Sequence, residues 1–538
     1  MLKADSQKWT KSNKFKFFTG KTAGKNLAIF VFFFTALIFL FHLSCSGPSA
    51  TIKTDSSARK SPIKHIILFI GDGMQLEHEI AASQYLTGQE FRLVWHGSDF
   101  HRLPCTTWDV TTYNQFARQA GHPPYDRNSF DPLLGYNPAL GGKWPFPLDK
   151  TGQESYFLTR LPLPPDGKKT KLPATDSASA ATAVATGYKT DDGNISWLPG
   201  DPPEGKLSTL AEMLRAQYGA SIGVVSTVPF SHATPAAHVS HNVSRGNYPQ
   251  ISEEIIYTTK PEVVIGGGYP GPSGTNRFTF ISEPAYRDLK NGNTGDYVFV
   301  EREAGKNGAE ALLQAADLAI AQRKKLFGLF GGPGGNFEPP LPANSPGHPS
   351  IKRQTTENPL LKEAVLAALK VLSRDPDGFF VMFEQGDIDW ANHENNFPWM
   401  VGTVWDLNEA VKAAINFVNQ PGDDVDWSNT VLIVTADHAN GFMRLKRGPD
   451  GKPLLKKGQL PQGEPARLGR PAQYDLVTYA TTEHTNELVM VYVYGRGPGY
   501  RYLARHARQW YQGTKIIDNT QIFEALCEAV NLKANIKN

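Results

Sequence analysis

Short aliphatic runs that alternate with amphipathic helical patterns constrain the fold of this chain most strongly. Each run is continuously apolar, which indicates a strand buried on both faces, as in a parallel sheet covered by helices. Helical patterns between the runs occupy, for example, residues 207–218, 309–325 and 358–374. We therefore predict an α/β fold, a three-layer sandwich with a large, mostly parallel central sheet flanked by helices. The runs are HIILFI (65–70), IGVVST (222–227), EVVIGG (262–267), FFVMFE (379–384), TVLIVT (430–435) and ELVMVYVYG (487–495).

Two stretches interrupt this alternation of strand and helix patterns and are predicted to be surface insertions. Residues 114–173 are rich in proline, glycine and aromatic residues, and residues 444–478 are rich in lysine, arginine, glycine and proline. Such compositions favour loops over regular elements. The chain has 538 residues, of which 40% are hydrophobic and 20% charged, enough to bury the core of a large domain. We assign this domain to residues 62–538.

The first 46 residues carry signals of export. Seven lysines lie in the first 25 residues against a single acid, and an uncharged run follows from Leu27 to Leu43. A helix of that length rises roughly 26 Å, which is marginal for spanning a bilayer. Lysines before the run and none directly after it predict a cytoplasmic N-terminus and an exported remainder. Residues 47–61, which are small, polar and proline-containing, are predicted to be a flexible linker.

Two outcomes are open for this N-terminal segment. Leu43-Ser44-Cys45 resembles a bacterial lipoprotein cleavage site, although His42 replaces the aliphatic residue expected three positions before the cysteine. The alternative is an uncleaved signal anchor. Both outcomes predict a membrane-attached protein in the periplasm or on the cell surface. In such an oxidising compartment Cys105 and Cys527 are able to pair, but their spacing does not decide the matter.

The net charge gives no signature of nucleic-acid binding. The formal charge is +3, and the lysine-rich tail accounts for it, because the remainder of the chain is slightly acidic.

Acidic and histidine residues follow three of the predicted strands at the point where each strand ends. Because the carboxyl ends of parallel strands meet at one edge of a sheet, we expect these side chains to converge. One helical turn would place Asp389 and His393 on one face, where they can hold one ion. Each motif alone also fits a turn or a helix cap, but converging buried carboxylates require cations, and aspartate with histidine suits zinc. The residues are Asp72, Glu384, Asp389, His393, Asp437 and His438.

A stretch of small residues at 178–186 predicts a tightly packed helix that begins at Asp176 or Ser177. A serine at this position lies beside free backbone amides and the positive end of the helix dipole, a place suited to phosphate. The same residues also fit an ordinary N-cap, which is the simpler interpretation of the composition alone.

Taken together, the motifs resemble those of the alkaline phosphatases, in order and across residues 63–533. They are GDGM, TDSASAATA, SHATPAAHVSHNVSR, EQGDIDWANH, TADHAN and EHTNE. The resemblance implies metal-dependent hydrolysis of small phosphate monoesters through a phosphoserine intermediate, releasing inorganic phosphate and an alcohol. It implies two Zn²⁺ ions and one Mg²⁺ ion as cofactors, with Zn²⁺ as an alternative at the third site.

The resemblance also assigns roles to individual residues. Ser177 would be the nucleophile, Arg245 would grip the phosphate, and Asp176 and Trp390 would contribute to the substrate site. The metal ligands would be Asp72, Asp437 and His438 at the first zinc, Asp389, His393 and His484 at the second, and Asp72, Thr234, Glu384 and His232 at the third site.

Two positions depart from the pattern of many bacterial members. His232 stands where they have an aspartate, and Trp390 follows Asp389 where others have a lysine. A neutral imidazole removes a charge and a hard oxygen donor, so we expect weaker magnesium binding at the third site. His232 would then reach the ion through a water molecule, or would bind zinc directly.

The same residues disfavour related hydrolases. A sulfatase needs a C/S-x-P-x-R context, whereas Cys105 is followed by Thr-Thr-Trp. A nucleotide phosphodiesterase or a phosphonate hydrolase keeps the two-zinc set but should lack the third-site glutamate and the phosphate arginine, so Glu384 and Arg245 argue against both. A catalytically silent binding protein is the remaining alternative, although no expected ligand position is vacant. The 114–173 insertion could roof the pocket, narrow its specificity or contact a second subunit, which makes a homodimer one expectation.

Overall fold

A ten-stranded sheet forms the centre of the protein, as seen in a computed structural model. The structure describes residues 63–134, 136–137, 157–158, 174–273, 277–422, 424–467, 472–507 and 516–533. These residues all belong to one compact unit, Thr54–Asn538. The predicted export segment at 1–46, the linker at 47–61 and most of the predicted insertion at 114–173 lie outside the described residues. Among the described helices, none has the length and apolar character needed to cross a membrane.

In chain order the strands of this sheet are β1 (His65–Gly71), β2 (Phe100–Thr106), β3 (Ser221–Pro229), β4 (Val263–Gly267), β5 (Tyr297–Glu301), β6 (Lys325–Leu329), β7 (Phe379–Gln385), β8 (Thr430–Thr435), β9 (Val489–Tyr494) and β10 (Ile517–Asp518). They lie in the spatial order β10-β2-β9-β8-β1-β7-β3-β4-β6-β5. Of these strands, β9 alone runs antiparallel to its neighbours β8 and β2. The predicted mostly parallel sheet is therefore confirmed.

Helices flank the sheet. They are α1 (Leu76–Thr87), α2 (Val110–Ala120), α3 (Ser177–Thr186), α4 (Leu210–Tyr218), α5 (Ala233–Val239), α6 (Tyr248–Glu253), α7 (Glu283–Asn291), α8 (Gly308–Gln322), α9 (Leu361–Leu372), α10 (Asp387–His393), α11 (Phe397–Val418), α12 (Pro498–His506) and α13 (Thr520–Val530). One row consists of α1, α11, α9 and α8, and the other of α12, α13, α3, α5 and α4, each packed against the next. With the sheet, the two rows give this unit three layers.

The central strands are aligned so that their carboxyl ends meet. Ile70 of β1 pairs with Glu384 of β7 and with Thr435 of β8, and Glu384 pairs with Ser226 of β3. All four strands are buried along their whole length, which explains their continuously apolar sequences. The acidic residues that end or follow β1, β7 and β8 consequently emerge at one edge of the sheet.

Four strands of the ten-stranded sheet were not predicted from the sequence. In β2, polar residues and Pro104 interrupt the apolar pattern, and the strand lies one place from the edge of the sheet. Strand β5 lies at the edge of the sheet and is only partly buried, and β10 has two residues. Strand β6 begins at Lys325, where the predicted helical pattern at 309–325 ends.

The predicted insertion at 444–478 contains short strands rather than loop alone. Two-stranded ribbons pair Met443–Leu445 with Val477–Tyr479 and Gly463–Glu464 with Gln473–Tyr474. Further ribbons pair Ala439–Asn440 with His484–Thr485, Leu341–Ala343 with Ser350–Lys352, and Tyr136–Asn137 with Phe157–Leu158. Cys105 and Cys527 are both buried, and neither forms a disulfide.

Candidate metal and phosphate site

The ends of β1 and β8 bring Asp72, Asp437 and His438 together in the buried interior. His438 Nε2 lies 3.3 Å from Asp72 Oδ1 and 3.5 Å from Asp437 Oδ2. Asp437 Oδ1 accepts the backbone N–H groups of Gly73 and His438 at 3.0 and 2.9 Å. Within the described part of the chain, Asp437 Oδ2 has no hydrogen-bond partner. An unsatisfied carboxylate oxygen beside a carboxylate and an imidazole suits a metal ligand set.

Asp389, His393 and His484 form a second group. His393 Nε2 lies 3.2 Å from Asp389 Oδ2 and 3.1 Å from His484 Nε2, and His484 Nε2 lies 3.4 Å from Asp389 Oδ1. The rings of His438 and His484 stack with centroids 3.7 Å apart, so the two groups adjoin. Asp389, His438 and His484 are themselves close enough to share an ion. How the ligands divide between two ions therefore stays a prediction.

Backbone carbonyls fix the histidine tautomers in the second group. His393 Nδ1 lies 2.6 Å from the Thr482 carbonyl oxygen, and His484 Nδ1 lies 2.8 Å from that of Thr175. A carbonyl oxygen only accepts, so each Nδ1 carries a proton and each Nε2 is left to bind a cation. Burial lowers the pKa of His484, but the nearby Asp389 carboxylate outweighs it and raises the pKa to about 9. Two Nε2 atoms at such close range thus require positive charge, from a proton or from a metal ion.

Local structure brings Asp389 into place. It begins the i, i+4 pair with His393 on α10, as the spacing predicts. Gly73 has a φ of +67°, and a Cβ there would lie 2.7 Å from Asp389 Oδ1, so only glycine fits. Asn440 Nδ2 donates to Asp389 Oδ1 at 2.6 Å. The sequence prediction missed Asn440, although its place in the TADHAN motif, on a ribbon strand paired with His484, was an available signal.

Buried negative charge dominates the electrostatics of the site. Burial, and then the neighbouring carboxylates of Asp437, Asp389 and Glu384, hold the pKa of Asp72 well above its usual range. Burial also acts to raise the pKa of Asp389, but His484 and His393 outweigh it and hold the pKa well below its usual range. So many carboxylates in a buried site are stable as anions only with cations among them.

Ser177 is the first residue of α3, and its hydroxyl lies against the first group of ligands. Ser177 Oγ lies 3.0 Å from His438 Nε2 and 3.5 Å from Asp72 Oδ1. The N-cap of α3 is Asp176, whose Oδ2 accepts the backbone N–H of Ala178 at 3.0 Å. Because Asp176 caps the helix, the Ser177 hydroxyl is not needed for that task.

Arg245 is held at the start of α3 by Asp176. One guanidinium nitrogen pairs with Asp176 Oδ1, and another lies 3.4 Å from His232 Nε2. Burial raises the pKa of Asp176, but the charges of Arg245 and His484 outweigh it and lower the pKa. With 24% of its side chain exposed, Arg245 can still meet an anion from solvent.

The predicted third-site residues are only partly brought together. Glu384 is fully buried; its Oε2 accepts from Ser226, while its Oε1 lacks a hydrogen bond of good geometry within the described chain. Burial raises the pKa of Glu384 to about 8, although Ser226 and Thr234 lie close enough to oppose the shift. His232 lies beside Arg245 and stacks on Tyr248, with ring centroids 5.9 Å apart. Its position at the third site stays a prediction.

Trp390 lies at the rim of the site. It is 39% exposed, and its ring centroid is 6.3 Å from that of His232. A large exposed aromatic side chain at this point is accessible to a molecule that enters the site from solvent.

His241, just before Arg245 in the chain, is surrounded by acceptors. Its Nδ1 lies 3.0 Å from Glu254 Oε1, and its Nε2 lies 2.9 Å from the Leu207 carbonyl oxygen and 3.4 Å from Glu212 Oε2. Only the doubly protonated ring satisfies all of these contacts. Burial lowers the pKa of His241, but the two glutamates outweigh it and raise the pKa to about 9.

Replacement of His241 by glutamine should therefore remove a pH-dependent contribution to stability. The unfolded-chain pKa is ~6.5, so the contribution is complete below that pH and is lost as the pH rises through 9. Because Glu212 is partly exposed, we expect a difference in unfolding free energy of about 2 kcal/mol at pH 6 that shrinks towards pH 10. Urea unfolding of both proteins across this pH range, at the same metal concentrations, measures the difference. A difference that stays constant with pH would contradict the charged-ring interpretation.

Comparison with known proteins shows the family to which the chain is related. A family model for alkaline phosphatase matches residues 165–520. Alkaline phosphatase 4 of Bacillus subtilis (strain 168) is 29% identical over 324 residues, which cover 58% of this chain and 61% of that relative. Alkaline phosphatase H of Pseudomonas aeruginosa (strain UCBPP-PA14) is 26% identical over 511 residues, 89% of this chain and 87% of that relative. The match to the Bacillus relative thus spans only about three fifths of its length.

A solved structure with a similar fold is that of TAB5 alkaline phosphatase, from the Antarctic bacterium TAB5. It is a histidine-to-aspartate mutant with Mg bound in the M3 site. The TM-score is 0.52 at 20% identity, and the match covers 88% of this chain and 99% of that chain. At this identity the likeness shows the fold alone.

Proposed function

Because this chain belongs to the alkaline phosphatase family, we propose that it hydrolyses phosphate monoesters through a phosphoserine formed on Ser177. The observation that carries the proposal is the position of Ser177 Oγ, which lies 3.0 Å from His438 and 3.5 Å from Asp72 at the start of a helix. A nucleophile here would meet both a group of metal ligands and the helix dipole that favours phosphate.

The ligand sets fit the expected metals. Nitrogen and oxygen donors in groups of three suit zinc, and the sets we propose are Asp72, Asp437 and His438 for one ion and Asp389, His393 and His484 for the other. Glu384, Thr234 and Asp72 would hold the third ion, Mg²⁺ or Zn²⁺, and His232 would reach it through a water molecule or bind zinc directly. When bound, the zinc ions would supply the positive charge that stabilises the attacking and departing oxygens.

The protein's own groups would position the substrate and the proton. Arg245, oriented by Asp176, offers two N–H groups to non-bridging phosphate oxygens. Attack by Ser177 Oγ on phosphorus would break the bond to the alcohol oxygen and leave the phosphoryl group on the serine. The proton lost by the Ser177 hydroxyl would pass through solvent to the departing alkoxide, which leaves as the alcohol. Water then hydrolyses the phosphoserine, which releases inorganic phosphate and restores the hydroxyl. The Asp389–Trp390 turn of α10 would place an aromatic ring beside the leaving group.

A pair of assays tests this function. Zinc-loaded protein should hydrolyse p-nitrophenyl phosphate far faster than bis-p-nitrophenyl phosphate, because a diester offers Arg245 fewer charged oxygens. A preference for the diester would replace the proposal with a phosphodiesterase, and no turnover of either compound would point to a binding protein.

Replacement of His232 by aspartate should tighten magnesium binding at the third site. A carboxylate restores a charged oxygen donor, so we expect half-maximal activation at about tenfold lower magnesium concentration. The contact between His232 Nε2 and Arg245, which is 3.4 Å long, adds a second expectation. A carboxylate on the same side of the guanidinium would compete with phosphate for Arg245 and raise KM. The TAB5 mutant with Mg bound in its M3 site carries the same change of residue type.

Magnesium titration with zinc held saturating measures both effects. Tyr248→Phe serves as the control, because it removes only a hydroxyl from the ring that stacks on His232. An unchanged magnesium requirement in His232→Asp would place His232 outside the third site.

We also propose that the enzyme is exported and attached to the membrane by residues 1–46, through a lipid or an uncleaved anchor. The lysine-rich tail and the apolar run that follows it support this location. Sedimentation of the full-length chain with membranes, and its loss on deletion of residues 1–50, would test the attachment. A homodimer stays a proposal, for which the measured mass in solution is the test.

A further inference from the structure

We propose that Asp109 is a positioning residue for the nucleophile: its buried carboxylate holds segment 175–179, which carries three working parts of the site. The inference rests on the proposed function, in which Ser177 is the nucleophile. Asp109 lies outside the family motifs, three residues after β2, where it caps α2.

Both oxygens of the Asp109 carboxylate are engaged, and the residue is only 1% exposed. Oδ1 accepts the backbone N–H and the hydroxyl of Thr112 at 2.7 and 2.8 Å, which caps α2. Oδ2 accepts the hydroxyls of Thr175 and Ser179 at 3.0 and 3.2 Å and the backbone N–H of Asp176 at 3.3 Å. One oxygen therefore serves α2, and the other serves the start of α3.

Three consecutive residues of the held segment each do different work. The Thr175 carbonyl accepts from His484 Nδ1 at 2.8 Å and so orients a predicted zinc ligand. Asp176 pairs with Arg245 and caps α3. Ser177 places its hydroxyl 3.0 Å from His438. A shift of this segment would displace the Ser177 nucleophile, the Arg245 guanidinium that Asp176 holds, and the zinc ligand His484 together. Small displacements at a reacting centre lower the reaction rate strongly.

Burial raises the pKa of Asp109, and the hydrogen bonds from Thr112 and Thr175 oppose that rise in favour of a charged carboxylate. Four hydrogen bonds compensate the buried charge, together with a fifth from the Ser179 hydroxyl, which also lies 3.0 Å from the Asp176 carbonyl oxygen. The dipoles of α2 and α3 both favour an anion there. Asparagine has the same shape but has one N–H₂ group in place of an oxygen. A backbone N–H faces each oxygen and cannot accept from that group, but the N–H of Thr112 bonds at 2.7 Å and that of Asp176 at 3.3 Å. The hydroxyls of Thr175 and Ser179 can turn to accept. The amide nitrogen should therefore face α3, which keeps the shorter α2 cap and leaves the Asp176 N–H without its acceptor.

The experiment compares Asp109→Asn with Thr112→Val in the full-length, zinc-loaded enzyme. Thr112→Val removes one hydrogen bond from the same carboxylate on the α2 side and leaves the α3 contacts in place. We expect at least a tenfold loss of kcat/KM for p-nitrophenyl phosphate in Asp109→Asn, and less than a twofold loss in Thr112→Val. Melting temperature and zinc content should be similar in the two variants. If Asp109→Asn does not fold, Thr175→Val tests the same oxygen, with an expected threefold loss.

Acid-quenched single turnovers separate this inference from the proposed function. Slow formation of phosphoserine in Asp109→Asn, at normal zinc content, supports the positioning role. Phosphoserine formation at the wild-type rate in a folded Asp109→Asn would overturn the inference and leave the function intact. Absence of phosphoserine in the wild-type enzyme would overturn the proposed function itself, and the role of Asp109 with it.

Discussion

Removal of metal with a chelator should abolish phosphomonoesterase activity and lower the melting temperature by roughly 10 °C, because bound ions stabilise only the folded state. The carboxylates of Asp72, Glu384, Asp389 and Asp437 are all buried at one edge of the sheet. Without cations they repel one another, and two histidine Nε2 atoms meet at 3.1 Å. Metal loss therefore removes attraction and leaves repulsion in the same place.

The metal-free protein should also respond to pH in a characteristic direction. Burial and neighbouring carboxylates raise the pKa of Asp72, and burial raises that of Glu384 to about 8. A carboxyl whose folded-state pKa is raised destabilises the fold as it ionises, so stability should fall as the pH rises from about 4.5 to 8. The metal-loaded protein should lack this decline, because cations stabilise the ionised forms.

Calorimetry of chelated and zinc-restored protein between pH 5 and 8.5 measures both effects. Zinc should restore activity and melting temperature together, and magnesium alone should restore neither in full. The matched control is Ser177→Ala, which keeps every proposed ligand and should show the same zinc-dependent rise in melting temperature without the activity. A chelated enzyme with an unchanged rate would rule out metal-assisted hydrolysis.

The sheet was predictable where burial on both faces left a continuous apolar run. HIILFI and FFVMFE, which became β1 and β7, are examples. Strand β2 was not predictable because His101 and Arg102 are only partly buried and Pro104 breaks the pattern. Its position could be inferred only from its partner β9, which lies almost four hundred residues further along the chain.

The site, too, contains residues that the sequence predicted and groups that it did not. Asp72, Asp389 and Asp437 were predictable because strand ends and helical spacing fix where such side chains emerge. The carbonyls of Thr175 and Thr482, which orient two histidines, leave no trace in residue identity. A backbone group that acts through its conformation becomes visible only in the folded structure.

The position of His232 shows a further limit of reading by motif. The motif associates it with a third metal site, whereas its described contacts are with Arg245, Tyr248 and Trp390. A side chain between Arg245 and the rim of the site can affect both metal binding and substrate binding. Separate measurement of magnesium affinity and of KM in His232→Asp therefore tells whether His232 affects metal binding, substrate binding or the two together.

Replacement of Ser177 by alanine should lower kcat by a factor on the order of 10³ or more, since the proposed phosphoserine could no longer form. Asp176, not Ser177, caps α3, so the helix should keep its start. Zinc content should be unchanged, because the Asp and His ligands are intact. Some turnover should remain, since Arg245 and the metals can still hold a phosphate for direct attack by water.

Mass spectrometry of acid-quenched protein should locate the phosphate on Ser177 in the wild type and nowhere in Ser177→Ala. Ser83→Ala is the matched control: this serine lies in α1, its hydroxyl donates to the Gln89 carbonyl, and its loss should leave activity unchanged. Near-normal kcat in Ser177→Ala, or a phosphopeptide from another residue, would remove the nucleophile assignment. Because the ligand groups would survive that result, attack by water in place of the serine would then be the mechanism to test.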